Sequence, residues 1–224
     1  MSRFTPSFIF DLDGTLIDSV YQHVLAWHDA LRTVGIDLAV WRIHRRIGMS
    51  GGLFTNMLLR ETGAELSDAT VEELPRLHAE AYLKRSESVR PLPGAEDLLT
   101  HLTEQGIPWA IATSGRIKTA QHAIEMLGIN PDNQIVITRD VVTHAKPDPD
   151  LFLAAADRLE IDPSHAIVVG DSIWDILAGR RAGSLSVGLL SGGYGQDELE
   201  RAGAYRVYQD PEDLLRHVDE VGGR

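Results

Sequence analysis

The chain has 224 residues, and 33 Asp and Glu against 21 Lys and Arg leave a formal net charge of −12, the wrong sign for a protein that grips nucleic acid by neutralising phosphates. With no cysteine, a disulfide framework, thiolate metal sites and a cysteine nucleophile are excluded together. No stretch approaches the ~20 apolar residues of a membrane span, so a soluble, cytoplasmic protein with neither nucleic acid nor membrane as partner is expected. A hydrophobic content of 43% is enough for a real core.

In chain order, the apolar run Phe8–Phe10 predicts a buried strand that leads into Asp11-Leu12-Asp13-Gly14-Thr15. Residues 17–90 then show no convincing strand. Val20, Val24, Trp27, Leu31 and Val34 form one helical face that ends near Gly35. A second helix is expected from Leu53 to Glu61, and a third between Ser67 and Ser88 with Pro75 near its start or kinking it. Pro91-Leu92-Pro93-Gly94 marks the return. Further buried strands are read at Trp109–Ala112, Ile135–Ile137, Ala166–Val169 and Leu185–Leu189. Between them come a helix with Ile117, Ala120, Ile124 and Leu127 on one face, a helix from Pro149 to Leu159, and one from Ile173 to Ala182 that stops at Gly183. A last helix has Asp210 as its cap and Pro211 at its first position. Strands alternating with helices predict an α/β fold, a Rossmann-like parallel-sheet core of residues 1–16 and 91–224, with an α-helical cap inserted over 17–90. Nine basic and ten acidic residues fall in 17–90, so the acidity belongs to the core.

Residues two apart in an extended chain point the same way, which brings Asp11 and Asp13 to one crevice at the strand's carboxyl end. Two such carboxylates call for a divalent cation or for an acid/base division of labour. Gly14 permits a sharp turn that aims backbone N–H groups at an anion. A calcium loop is excluded, because Leu16 stands where its glycine is needed. A second strand releases Asp171 and Asp175 in Gly170-Asp171-Ser172-Ile173-Trp174-Asp175. Asp171 alone reads equally as a helix N-cap, but a parallel sheet brings it to the same edge as Asp11, where an all-oxygen set suits Mg²⁺. At two other strand ends, Thr113-Ser114-Gly115 offers a hydroxyl and backbone N–H groups to a phosphate, and Lys146, stiffened by Pro147 and Pro149, offers a positive charge.

Asp11-x-Asp13-Gly14-Thr15, Thr113, Lys146-Pro147 and Gly170-Asp171-x-x-x-Asp175 resemble, in order and spacing, the four motifs of the haloacid dehalogenase-like hydrolase superfamily. The inserted helices are similar to the cap of its phosphoglycolate phosphatase and β-phosphoglucomutase branch. Ser191-Gly192-Gly193-Tyr194-Gly195 is similar to the end of phosphoglycolate phosphatase-like members. The resemblance implies a phosphatase of small phosphorylated metabolites in which Asp11 attacks phosphorus and forms an aspartyl-phosphate. Asp13, absent from the dehalogenases of the superfamily, would protonate the leaving oxygen and then activate water. Mg²⁺ would be held by Asp11, the backbone carbonyl of Asp13, Asp171, and Asp175 directly or through water. Gly14, Thr113, Ser114, Gly115 and Lys146 would bind the phosphoryl group.

The cap carries Arg42, Arg45 and Arg46 ahead of a glycine-rich turn, and Arg45, Arg46 or the turn itself is expected to line the entrance. Mutases of this branch usually carry a basic residue just past the corresponding glycine, where this chain has Met49, Ser50, Gly51 and Gly52, which favours a hydrolase. Three other readings stand beside it: a phosphomutase with the same nucleophile, a receiver-like signalling module, and an inactive binding module. The oligomeric state is open between monomer and homodimer.

Overall fold

The computed structural model describes residues 6–49, 51–63, 66–131 and 133–223; the N-terminal residues 1–5 and Ser50 lie outside the described residues. In chain order the elements are β1 (Ser7–Phe10), β2 (Ile17–Asp18), α1 (Val20–Thr33), α2 (Val40–His44), α3 (Gly51–Thr62), α4 (Asp68–Leu83), β3 (Arg90–Pro91), α5 (Ala95–Glu104) and β4 (Trp109–Ala112). They continue with α6 (Ile117–Met126), β5 (Ile135–Ile137), α7 (Asp150–Arg158), β6 (Ala166–Gly170), α8 (Ile173–Ala182), β7 (Leu185–Leu189), α9 (Gln196–Ala202), β8 (Arg206–Tyr208) and α10 (Pro211–Arg216). Every strand read from the sequence is present. So are Gly183 in the left-handed conformation after α8 and Asp210 capping α10 through the Asp213 N–H.

Six strands make one parallel sheet in the order β5-β4-β1-β6-β7-β8. Numbered within the sheet, this is 3-2-1-4-5-6: the chain runs outward from β1, crosses back, and runs outward on the other side. The reversal falls between β1 and β6, where open α/β sheets form their ligand crevice. β1 is buried on both faces, as helices on each side require. Phe8 and Phe10 join Ile111, Val169 and Val187 on one face, while Ile9 meets Ala110, Val168 and Phe152 on the other.

The helices between β2 and β3 enclose their own apolar cluster, in which the stripe Val20, Val24, Trp27 and Leu31 packs with Ile43, Phe54, Leu58 and Leu74. The sequence reading did not include α2, α5, α9 or β8, and two further features bear on the inserted segment. A two-residue strand lies within 17–90 after all: β2 pairs antiparallel with β3 through Ile17–Pro91 and Asp18–Arg90, tying together the outgoing and returning segments. Two residues hold no periodicity to read. Pro75 sits in the interior of α4, whose N-cap is Ser67. Its missing N–H costs one ladder bond, and burial of the neighbouring Leu74 against α1 and α3 offsets that cost.

Truncation in the apolar stripe measures what this second cluster contributes. Leu31→Ala, at a site 1% exposed, should cost about 2–5 kcal/mol in urea unfolding. Leu25→Ala on the opposite, 43% exposed face should stay within about 0.5 kcal/mol.

Candidate active site

The parallel ladder continues one residue past two strands and so fixes the first site residues. The Asp11 N–H donates to Val169 O and the Thr113 N–H to Ile137 O, each at 2.9 Å. Asp171 follows the last residue of β6, and Lys146 reaches the same edge from the segment between β5 and α7. The Lys146 ammonium pairs with Asp11 Oδ1 and lies 2.8 Å from Asp175 Oδ1. Its side chain is wholly buried and passes 5.1 Å from the Phe152 ring. Asp171 Oδ1 accepts from Thr15 Oγ1 at 2.9 Å. Ser172, not Asp171, caps α8, and Asp175 completes its capping box by accepting from the Ser172 N–H at 3.0 Å and hydroxyl at 2.5 Å. Asp171 is therefore free of the capping task that its sequence position allowed.

One oxygen each of Asp11, Asp171 and Asp175 lies within 4.8 Å of the others, all three residues buried. Three carboxylates share one ammonium. Burial, with repulsion from Asp175 and Asp13, pushes the Asp11 carboxyl up to about 7 even against its pairing with Lys146. Burial and the charges of Asp175 and Asp11 hold Asp171 well above the usual carboxylate range. Lys146 is disfavoured by burial, but the two aspartates outweigh this and raise it. The triad could hold a metal ion, and its surroundings leave room: the Asp171 carboxylate occupies space that a Cβ on Gly192 would overlap, and a Cβ on Gly14, at φ +89°, would come within 2.5 Å of Asp171 Oδ2.

Asp13 does not converge on this triad with its side chain. Its Oδ1 accepts from Ser19 Oγ at 2.6 Å and lies 3.1 Å from His23 Nε2. Burial pushes Asp13 up, but His23, Ser19 and Lys146 together outweigh it and leave the carboxyl below its ordinary value. His23 Nδ1 lies 3.2 Å from His78 Nε2, a ring that stacks on Trp27 at 4.3 Å. Burial holds His78 well below the usual imidazole range. Sequence reasoning missed Ser19, His23 and His78. The available signal was that Ser19 and His23, four apart, share a helix face distinct from the apolar stripe.

Thr113 Oγ1 accepts from the Gly115 N–H at 2.9 Å, and Ser114 donates to Gly48 O at 3.0 Å, linking core to cap. A Cβ on Gly115 would stand 3.2 Å from Thr113 Oγ1 and 3.9 Å from Asp13 Oδ2, so this turn borders Asp13. Asp11, Asp13, Thr113, Ser114 and Gly115 line one side of a cavity of about 390 Å³ whose opposite wall comes from the inserted helices. Arg46 lines it while paired with Glu61. Arg45 does not: it pairs with Glu198 and lies 4.2 Å over the Tyr194 ring, and Tyr194 donates back to Arg45 O at 2.8 Å. Lys146, Asp171 and Asp175 cluster with Asp11 without lining the cavity.

The model of the haloacid dehalogenase-like hydrolase family matches residues 6–183. The chain belongs to that family. A hydrolase from Pseudomonas syringae whose crystal structure is solved is 53% identical and superposes with a TM-score of 0.94, over 96% of this chain and 99% of that one. Hexitol phosphatase A of Escherichia coli is 36% identical over 180 residues, 79% of each chain. The β-phosphoglucomutase of Bacillus subtilis is 30% identical over 211 residues, 92% of this chain and 90% of that one. For a haloacid dehalogenase-like hydrolase, the six-stranded parallel sheet and the convergence of β1, β4 and β6 ends described above are the family's expected core.

Two predictions follow from the charges. Thr15→Val keeps the volume and removes the donor to Asp171, so divalent-cation affinity measured by calorimetry should fall roughly 10–100-fold. Asp11 and Asp171 have folded-state values raised above their unfolded ones, so their contribution to stability is fully present below about pH 4 and is lost as pH rises, that of Asp11 towards about 7. Thermal unfolding should show the metal-free protein losing stability across that window, with a larger gain in Tm from added divalent cation at pH 7 than at pH 5.

Proposed function

We propose that the chain is a Mg²⁺-dependent phosphomonoester hydrolase that works through a phosphorylated Asp11. The observation that carries this reading is the contrast between two aspartates two residues apart. Asp11 is held among buried carboxylates by Lys146, while Asp13 is turned to hydroxyl and imidazole partners beside the cavity. Neighbouring titratable groups in opposed environments mark an acid/base division.

The donor set fits Mg²⁺: it is all oxygen, buried, and short of positive charge, since Lys146 is the one ammonium in contact with the triad among the described residues. The carboxylates of Asp11 and Asp171 and the backbone carbonyl of Asp13 would hold the ion. Ser172 bonds Asp175 Oδ2, and Asp175 Oδ1 lies 2.8 Å from the Lys146 ammonium, so Asp175 would support the site by fixing Lys146 and would serve the ion directly or through water. The ion would supply positive charge against the nucleophile and the phosphoryl oxygens.

The protein's own residues carry the steps. An Asp11 oxygen attacks phosphorus as the bond to the leaving oxygen breaks, and Asp13 gives that oxygen a proton. Asp13 then takes a proton from a water that attacks phosphorus, releasing phosphate and restoring Asp11. Lys146 and Thr113 stabilise the transferring phosphoryl group. Without ligands the two aspartates lean the wrong way for these roles, Asp11 up and Asp13 down. A cation beside Asp11 lowers it and a phosphoryl dianion beside Asp13 raises it, so binding brings each into its working state. Ser19 and His23 then orient Asp13 from the first turns of α1. The substrate is a small phosphorylated metabolite, and the absence of a basic residue at Met49 and Gly52 favours release to water over transfer back to a sugar.

Hydrolysis of phenyl phosphate should require Mg²⁺ and stop with chelator. Asp11→Asn should fall to background, and Asp13→Asn should lose roughly 10²–10⁴-fold in kcat. Robust turnover by Asp11→Asn, with deamidation excluded, would contradict the reading. A mutase would instead yield an isomeric sugar phosphate, visible by product analysis on hexose phosphates.

A further inference from the structure

The cavity beyond Asp13 has a chemical character that bears on the leaving group. Its cap-side wall is apolar and aromatic, with the Trp27 and Phe54 rings 4.3 Å apart and both buried. Four cations line it: Arg46 from the inserted segment, and Arg116, Lys118 and Arg139 from the core. Two are neutralised, Arg46 by Glu61 and Arg116 by Asp140. The other two are not. Arg139 bonds only main-chain carbonyls, those of Val142 and Thr143, and Lys118 has no ion pair or hydrogen bond among the described residues. Both follow the turn that borders Asp13: Lys118 lies three residues past Gly115, and the Arg139 N–H donates to Gly115 O at 3.0 Å.

Acceptors are scarce there. Apart from Asp11 and Asp13, no carboxylate, asparagine or glutamine lines the cavity among the described residues, and the Ser114 and Thr119 hydroxyls, which donate to backbone carbonyls, offer only their lone pairs. A polyol's hydroxyls need acceptors as well as donors, whereas an anion needs donors and positive charge alone. The volume of about 390 Å³ also exceeds what a two-carbon phosphoester fills, lying in the range of roughly 300–1,000 Å³ typical of pockets for larger ligands.

We propose that the substrate's leaving group carries a second anionic group, bound by Lys118 and Arg139, on a body with an apolar face that lies against Trp27 and Phe54. This rests on the reading of Asp11 and Asp13 as the hydrolytic pair, which sets the end of the cavity where the phosphoryl group sits. A leaving group of this kind differs from a plain hexitol, which offers no charge to the two cations that lack a carboxylate partner. The two cations act on the leaving group and not on the phosphoryl group, so the selectivity is read as a ratio between substrates.

The test compares 4-(carboxymethyl)phenyl phosphate with its neutral isostere 4-(carbamoylmethyl)phenyl phosphate; the methylene insulates the phenol, so the leaving oxygens are alike. The carboxylate ester should be preferred in kcat/KM by roughly five- to tenfold at low ionic strength, the scale of one or two half-exposed charge pairs. The preference should shrink as salt is raised, and Lys118→Met and Arg139→Gln should each lower the ratio. Lys118 is exposed and unpartnered, so its substitution does not endanger the fold. A ratio of one or less, or a ratio unmoved in Lys118→Met, overturns the inference. Calorimetric binding of the corresponding pair of benzylphosphonates is read in parallel. Turnover of both esters without preference overturns this inference alone. No turnover of either, with the carboxylate-bearing phosphonate still binding more tightly, counts against the hydrolase reading and supports the charge selectivity.

Discussion

Three buried carboxylates sharing one buried ammonium is the constraint around which the rest of the molecule is arranged. Asp11 and Asp175 pair with Lys146 at the carboxyl edge of the sheet while Asp171 crowds the two carboxylates, and leaving any of these charges unpaired in the interior would cost several kcal/mol. The surroundings meet that constraint piece by piece. Thr15 holds one Asp171 oxygen, the α8 capping box holds one Asp175 oxygen, and Gly14, Gly170 and Gly192 yield the space that the carboxylates occupy. The 3-2-1-4-5-6 strand order puts β1 beside both β4 and β6, so residues far apart in sequence meet without any long loop. The remaining excess of negative charge is what a divalent cation would offset, and it ties stability, metal binding and catalysis to the same few atoms.

The second aspartate belongs to a different environment and, through it, to the inserted helices. Ser19 at the N-cap of α1 and His23 within it grip Asp13, His78 on α4 abuts His23, and Trp27 stacks on His78. The group read as acid and base is thus oriented by the element that also forms the far wall of the cavity. Ser114 to Gly48, His44 to Gly192 and Arg45 to Glu198 join the same helices to the core at other points. Displacing the inserted helices would open the cavity and release Asp13 together, which couples access for substrate to the readiness of the proton donor.

Much of this was legible in the sequence because it rests on local patterns. Short apolar runs ending in Asp, Thr or Gly-Asp named the strands and the residues at their carboxyl ends, and the spacing of Val20, Val24, Trp27 and Leu31 named the helix that covers the cavity. What escaped was whatever depends on contacts between distant segments. Nothing in Ile17-Asp18 or Arg90-Pro91 announces that they pair, since two residues carry no period. His23 and His78 are 55 residues apart and meet only because α1 packs on α4. Arg45 and Arg46 are adjacent in sequence and chemically alike, yet they lie in the turn that follows α2, where one reaches Glu198 and Tyr194 and the other the cavity. Asp171 read from the sequence as a possible cap; the observed Ser172 cap, completed by Asp175, leaves Asp171 a free carboxylate and makes Asp175 a supporting one.

The central claim is that Asp11 becomes covalently phosphorylated during turnover. Its most direct test is rapid quenching of the Mg²⁺-loaded enzyme with substrate, borohydride reduction of any acyl phosphate, and peptide mass spectrometry. The account predicts homoserine at position 11, formed only with substrate and metal present. Reduction at position 13 instead, or turnover with no trapped intermediate at either aspartate under conditions where attack by water is made slow by Asp13→Asn, would contradict it.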